Sequence, residues 1–188
     1  MYKRQTQDNS EWRRKIILRD IAVIEILFST GLRISELCNL QSKYVDLHNG
    51  VLCIQGKGKK ERYIQIGNNE VLSILNAYKS CFEEEIEQQG YFFVNRYGNR
   101  LSEQSARNMI HKYAHEIKAD TNITPHMFRH SFATYLIEEG VDVSCVQQIL
   151  GHSSIKTTQI YIHIAARKQA EILREMHPRN SMNIIRAA

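Results

Sequence analysis

Side chains able to carry chemistry occur in separate short blocks. In Pro125-His126-Met127-Phe128-Arg129-His130, helical spacing of i and i+3 puts His126 and Arg129 on one face. A forked guanidinium beside an imidazole suits phosphate oxygens, and the imidazole moves a proton near neutral pH. Taken alone, H-x-x-R is more simply a helix-start histidine and a solvated arginine. His126 and His130, at i and i+4, also have zinc-helix spacing. Met127 stands where the zinc-protease motif needs Glu, so no metal site is expected.

Three further blocks carry charge or a nucleophile. In Thr30-Gly31-Leu32-Arg33-Ile34-Ser35-Glu36-Leu37, Arg33 follows a helix-ending glycine, where a charged head reaches a cleft, and Glu36 is spaced to orient it. As a lone feature, a charged surface turn is the simpler reading. Gly56-Lys57-Gly58-Lys59-Lys60 with Arg62 makes a basic finger suited to a phosphate backbone. Glycine and lysine are equally what a solvated hairpin turn contains. Lys57, between two glycines, can bring its ammonium close to a reacting oxygen. Leu150-Gly151-His152-Ser153-Ser154 sets His152 at a bend, and Tyr161 comes nine residues later. A phenol with its ordinary pKa of about 10 is a poor nucleophile at neutral pH. It needs cations around an electrophile whose charge is already neutralised.

The elements that position these residues are mostly helical. Arg19-Asp20 opens an apolar run, Ile21 to Phe28, expected as a helix buried on most sides and stopped by Gly31; residues 1–15 are polar without a clear period. Ser35 to Leu40 reads as a short helix. Val51–Gln55 and Glu61–Ile66 are β-rich runs flanking the basic turn, hence a hairpin. A helix is expected from about Asn69 to Glu87 with Gly90 beyond it, then a short strand at Tyr91–Val94 and a loop to Arg100. Ser102 and Ser105 start a helix towards Lys118. Thr124-Pro125 starts another, in which Phe128, Phe132, Tyr135 and Leu136 recur at helical spacing until Gly140. Asp142 caps a helix ending at Gly151, and Ala165–Met176 forms the last one, before Pro178. The expected class is α+β, mostly α-helical, with a small antiparallel hairpin or sheet at one edge.

Composition bounds the function. Of 188 residues, 43% are hydrophobic and 24% charged, enough for a packed core and too apolar for wholesale disorder. Lys plus Arg total 25 against 20 Asp plus Glu, and the resulting +5 favours a polyanionic partner. Four scattered cysteines without a C-x-x-C pair, and no signal peptide, point to reduced thiols in a cytoplasmic protein. No apolar run is long enough for a membrane span.

The order of these blocks along the chain strongly resembles the catalytic domain of the tyrosine recombinases, the phage-integrase and Xer-type family. The resemblance rests on T-G-L-R-I-S-E-L, G-K-G-K-K-E-R, T-P-H-M-F-R-H-S-F-A-T and L-G-H-S-S-I-K-T-T-Q-I-Y, and spans roughly Arg19 to Met176. It implies a metal- and ATP-independent DNA strand-exchange enzyme without cofactor. By this likeness Arg33 and Arg129 hold the scissile phosphate, Tyr161 attacks phosphorus, and Lys57 protonates the departing 5′-oxygen. His126 assists proton transfer, His152 bonds the phosphate, Glu36 supports the site, and Lys59, Lys60 and Arg62 bind DNA backbone. The implied partner is double-stranded DNA, in a nucleoid-associated protein, with a homotetramer on DNA in the full-length form, a monomer when free, and no membrane.

Positioned cations suit this chemistry, because charge builds on the equatorial oxygens during phosphoryl transfer. Family members carry a further N-terminal helical domain of about a hundred residues. Residues 1–18 are therefore read as a truncated or non-family segment, 19–176 as the catalytic domain and 177–188 as a tail, with weak, salt-sensitive DNA binding. Two other readings remain: a type IB topoisomerase-like relaxing enzyme, and a DNA-binding remnant that no longer cuts.

Overall fold

The computed structural model describes residues 2–56 and 61–151, with side chains from residue 10 onward. Helix α1 (Tyr2–Thr30) is one continuous helix that starts well before the apolar run expected to begin it. Residues 2–30 contain neither glycine nor proline, so nothing in the polar stretch interrupts the backbone bonding. Ala22, Val23, Ile26 and Leu27 are fully buried, whereas Ile21 and Phe28 are 41% and 59% exposed. One broad face is covered, rather than most sides.

One turn earlier the same helix buries a charged pair. Arg19 Nε donates to Asp20 Oδ1 at 2.6 Å, Arg19 Nη1 to the Val94 carbonyl at 3.2 Å, and the Tyr113 hydroxyl to Asp20 Oδ2 at 2.9 Å. Buried charges persist only when paired and hydrogen-bonded in this way. Burial together with the Asp20 carboxylate pushes the Tyr113 phenol up to about 12.

A short helix α2 (Ile34–Cys38) and a 3₁₀ turn at Ser42–Tyr44 lead into strands β1 (Val45–Asp46), β2 (Val51–Gln55) and β3 (Glu61–Gln65). They form an antiparallel sheet in the order β1-β2-β3, in which Gln55 faces Glu61 and Leu52 faces Ile64. The hairpin is the expected one, and β1 adds an edge strand the sequence pattern did not mark. Leu52, Ile54 and Ile64 are buried on its inner face.

The helix expected from Asn69 to Glu87 is two: α3 (Asn69–Cys81) and α4 (Glu83–Gln89). Asn68 caps α3 through its side chain, accepting from the Glu70 and Val71 amides at 2.8 and 3.1 Å. Phe82 breaks the run at φ −123°, ψ 24°. The break places Glu83, Glu84 and Glu85 in a first turn, where the helix dipole favours carboxylates; in one long helix they would crowd its interior.

Tyr91–Val94 is not a strand. Phe92, Phe93 and Val94 are all buried, so no alternating face exists, and only isolated bridges form at Gln41–Tyr91 and Val94–Arg100. The buried Tyr78 hydroxyl instead serves this backbone, donating to the Phe92 carbonyl at 2.9 Å and accepting from the Val94 amide at 3.0 Å.

Helices α5 (Glu103–Glu116), α6 (Pro125–Glu138) and α7 (Val143–Leu150) come next, closely as expected. Ser102 caps α5 and Asp142 caps α7, and Gly151 ends α7 in the left-handed region at φ 64°. Along α6 the buried row is Arg129, Ala133 and Ile137, while Tyr135, one of the residues recurring at helical spacing, is 64% exposed. Two compact units divide the chain after Phe132. The first holds the main core, built from α1, α2, the sheet, α3, α4, the 91–94 segment and α5. In the second, Ala133, Ile137, Val146 and Leu150 are buried.

Among the described residues no helix is long and apolar enough to cross a membrane.

Candidate active site

The site begins where α1 stops. Thr30 is fully buried, and its hydroxyl donates back to the Ile26 carbonyl while accepting from the Leu32 amide. Gly31 then adopts φ 62°, a left-handed conformation that a residue without Cβ reaches at little cost. The reversal buries Leu32 and delivers Arg33 in an extended conformation at the start of α2.

Glu36 organises the first turn of α2. Its Oε2 accepts from the Arg33 amide at 2.9 Å, half of a capping box, and its Oε1 accepts from Arg33 Nη1 at 3.0 Å. Of these two bonds, only the second reaches the Arg33 guanidinium. The same carboxylate also takes both tines of a second arginine: Arg62 Nη1 to Oε1 at 2.9 Å and Arg62 Nη2 to Oε2 at 2.8 Å. Fork-on-carboxylate pairing of this kind is geometrically specific and strong.

Burial pushes the Glu36 carboxyl up. The Arg62 hydrogen bonds, the Arg33 amide and the charges of both guanidinium groups outweigh burial and hold it below its ordinary value.

Arg129 approaches from α6. Its side chain is no solvated charge: the residue is 5% exposed, and Nη1 donates to the Gly31 carbonyl at 2.7 Å. That oxygen lies two residues before Arg33, so the two arginines expected at the phosphate meet at one loop from distant parts of the sequence. His126, one helical turn before Arg129, is exposed at the start of α6.

The remaining expected groups, Lys57, Lys59, Lys60, His152 and Tyr161, lie outside the described residues. Gly151, immediately before His152, ends α7 where the sequence placed the bend.

Arg62, expected as a backbone-binding cation, has its side chain only 15% exposed and turned onto Glu36. Strand parity carried the missed signal. Arg62 shares its face with Ile64 and Ile66, both buried, so its guanidinium points inward and requires a carboxylate.

Burial pushes the Cys38 thiol up to about 12, which leaves it unreactive as a nucleophile near neutral pH. Among the described residues no three His, Cys, Asp or Glu side chains converge as metal ligands. What the arrangement offers is fixed guanidinium groups at a tight backbone turn, with an exposed imidazole one helical turn from Arg129.

Known proteins are similar to this chain in sequence and architecture. The pattern of the phage integrase family matches residues 5–168. A tyrosine recombinase of Agathobacter rectalis is 51% identical over 183 residues, covering 97% of this chain and 60% of its own length. The crystal structure of XerA recombinase superimposes with a TM-score of 0.71 at 32% identity, over 90% of this chain and 64% of that one. XerH site-specific recombinase, bound to a palindromic difH substrate in a post-cleavage complex, gives 0.71 at 29% identity, over 86% and 47%. The chain therefore spans less than two thirds of the length of the A. rectalis relative.

Proposed function

The chain belongs to the phage integrase family, and from that premise we propose that it is the catalytic portion of a site-specific DNA recombinase. Residues 19–176 form the catalytic domain in this reading. Double-stranded DNA is the substrate and partner, and strands are cut and rejoined through a covalent 3′-phosphotyrosyl intermediate by a homotetramer assembled on DNA. The proposed site of action is the nucleoid.

The bond from Arg129 to the Gly31 carbonyl carries the reading. It gathers Arg129 and Arg33 at one loop, as a clamp on a single phosphodiester requires. In the proposed reaction the two guanidinium groups hold the non-bridging oxygens, with His152 adding a hydrogen bond. The Tyr161 phenol oxygen attacks phosphorus and gives up its proton with help from His126. The bond from phosphorus to the 5′-oxygen breaks, and Lys57 protonates that oxygen as it leaves. The 5′-hydroxyl of a partner strand then attacks the phosphotyrosine, restores a phosphodiester and frees the phenol. One ester replaces another at each step, so no external energy source is needed. Preorganised cations supply most of the stabilisation, because negative charge builds on the phosphoryl oxygens.

The test is covalent capture. A library of duplexes, each nicked near a candidate cleavage position, is incubated with the chain and resolved under denaturing conditions. A protein–DNA adduct that disappears in Tyr161→Phe supports the reading. Tight binding without adduct in the wild type identifies a DNA-binding remnant instead. Relaxation of supercoiled DNA without strand exchange between paired sites identifies a topoisomerase-like enzyme.

A further inference from the structure

The Arg62 pairing has a meaning of its own. Arg62 lies on the inner face of β3, the strand whose first residue comes directly after Lys60. Its bidentate bonds end on the carboxylate that also holds the Arg33 side chain and amide. One oxygen pair therefore ties α2 to the hairpin strand. The strand is also bonded along its length to β2, from Val51–Gln65 to Gln55–Glu61. Neither half of the pair is loosely held, since the Arg62 and Glu36 side chains are 15% and 10% exposed.

We propose that Arg62 is a positioning residue: through Glu36 it sets the place of Arg33 and fixes the hairpin strand beside it, and it is not a ligand of the DNA backbone. The proposal rests on the recombinase reading for its consequence in catalysis, and on geometry alone for the tether. Because the clamp arginine and the strand leading out of residues 57–60 share one anchor, a change at Arg62 reaches both. A phosphate ligand on an exposed finger would act differently: it would add affinity and salt sensitivity and leave the bound reaction untouched.

The experiment compares Arg62→Gln, Arg62→Lys, Glu36→Gln and the Arg62→Gln/Glu36→Gln double variant in the full chain. At saturating nicked duplex, Arg62→Gln is expected to slow adduct formation by about 10²-fold, the scale of a small misplacement of reacting groups. Lysine, which keeps the charge and loses the fork, recovers part of the rate. The double variant is no slower than Glu36→Gln alone, because both substitutions cut the same link. The salt dependence of DNA binding stays as in the wild type.

A salt slope shallower by about 0.9 with unchanged saturated cleavage, the mark of one lost phosphate contact, overturns the proposal. So do single effects that multiply in the double variant. Hydrogen exchange on the free chain provides the arm that does not depend on activity. Arg62→Gln should speed exchange in α2 and in β3 together, and unchanged exchange in both refutes the tether. A wild-type chain that forms no adduct refutes the recombinase reading and leaves the exchange comparison to decide the tether.

Discussion

Replacing Arg129 separates two jobs that its guanidinium performs at once. The first is structural: a charge-assisted bond of 2.7 Å to the Gly31 carbonyl in a residue 5% exposed. Such a bond contributes about 1.5–3 kcal/mol, and its loss in Arg129→Ala leaves the carbonyl oxygen without that donor. For a chain of this size each kcal/mol moves Tm by about 2–4 °C, so the alanine variant should melt about 3–12 °C lower. The second job is proposed: holding scissile phosphate oxygens. Arginines acting on transferring phosphoryl groups contribute about 10³–10⁵ in rate, and alanine should cost that much.

Lysine distinguishes the two. Its single ammonium can meet the Gly31 carbonyl and recover most of the melting temperature, but it offers no planar fork for the phosphate. Arg129→Lys should therefore be nearly as stable as the wild type and still cleave at least about 10²-fold slower. The assay pairs thermal unfolding with single-turnover adduct formation on a nicked duplex, run well below the lowest Tm. A lysine variant of wild-type stability that also cleaves within a factor of about three of the wild type would show that Arg129 acts only by holding the loop.

Three other outcomes can be checked. Tyr78→Phe removes the hydroxyl that serves both the Phe92 carbonyl and the Val94 amide; two buried groups left unpaired cost about 2–6 kcal/mol together, lowering Tm by about 4–24 °C. An unchanged Tm would mean that water or another donor replaces it. Glu36 is held below its ordinary value of 4.5 in the folded state, so the unfolded chain binds the proton first as pH falls. Its contribution is complete above the unfolded value and is lost as pH drops through the lower folded one. Urea midpoints measured downward from pH 6 should fall less steeply in Glu36→Gln, and equal slopes below pH 4.5 would contradict the pairing. Lys57→Ala should lose adduct formation on an ordinary duplex and regain it on a 5′-bridging phosphorothiolate, whose sulfur leaves without an acid; no recovery would remove Lys57 from the proton-donor role.

Much of the fold was legible because its punctuation is local. Asn68, Ser102 and Asp142 cap helices with their own side chains, and Gly31, Gly90 and Gly151 end helices at positive φ. Each signal is complete within a few residues. The features that stayed hidden depend on partners far along the chain. Arg19 and Asp20 mark no boundary; they are buried mid-helix because Tyr113 and the Val94 carbonyl reach them. Tyr91–Val94 has strand composition, and its backbone is satisfied by a hydroxyl on α3, which no period in the segment announces. At the site, the Arg33–Glu36 bond lies within three residues and could be anticipated. The Glu36–Arg62 bond spans 26 residues and was visible only as an arginine with inward parity on a strand. The Arg129–Gly31 bond, across 98 residues, left no local trace beyond the helix row it shares with Ala133 and Ile137.

These long-range bonds have an energetic logic that fits the proposed reaction. An untethered arginine side chain loses up to about 2 kcal/mol of rotamer freedom when it is fixed. In this chain folding has already fixed much of that freedom: Arg62 by two bonds to Glu36, Arg33 by one to the same carboxylate, Arg129 by one to a backbone oxygen. In the proposed reaction, a phosphodiester arriving at the loop meets donors whose ordering cost fell on folding, not on binding. Catalysis by electrostatic stabilisation requires that condition, because donors that must reorganise as charge develops return part of their stabilisation as reorganisation energy. The sharing of Glu36 serves the same end. A carboxylate dedicated to Arg33 would fix one side chain on one short helix. A carboxylate shared with Arg62 fixes that helix against a strand, so the proposed clamp is referenced to the sheet as well as to α1. Stiffness at Arg33 is therefore a property of the packed core beneath it, and weakening the core at Leu52 or Ile64 should loosen the clamp before it unfolds the chain.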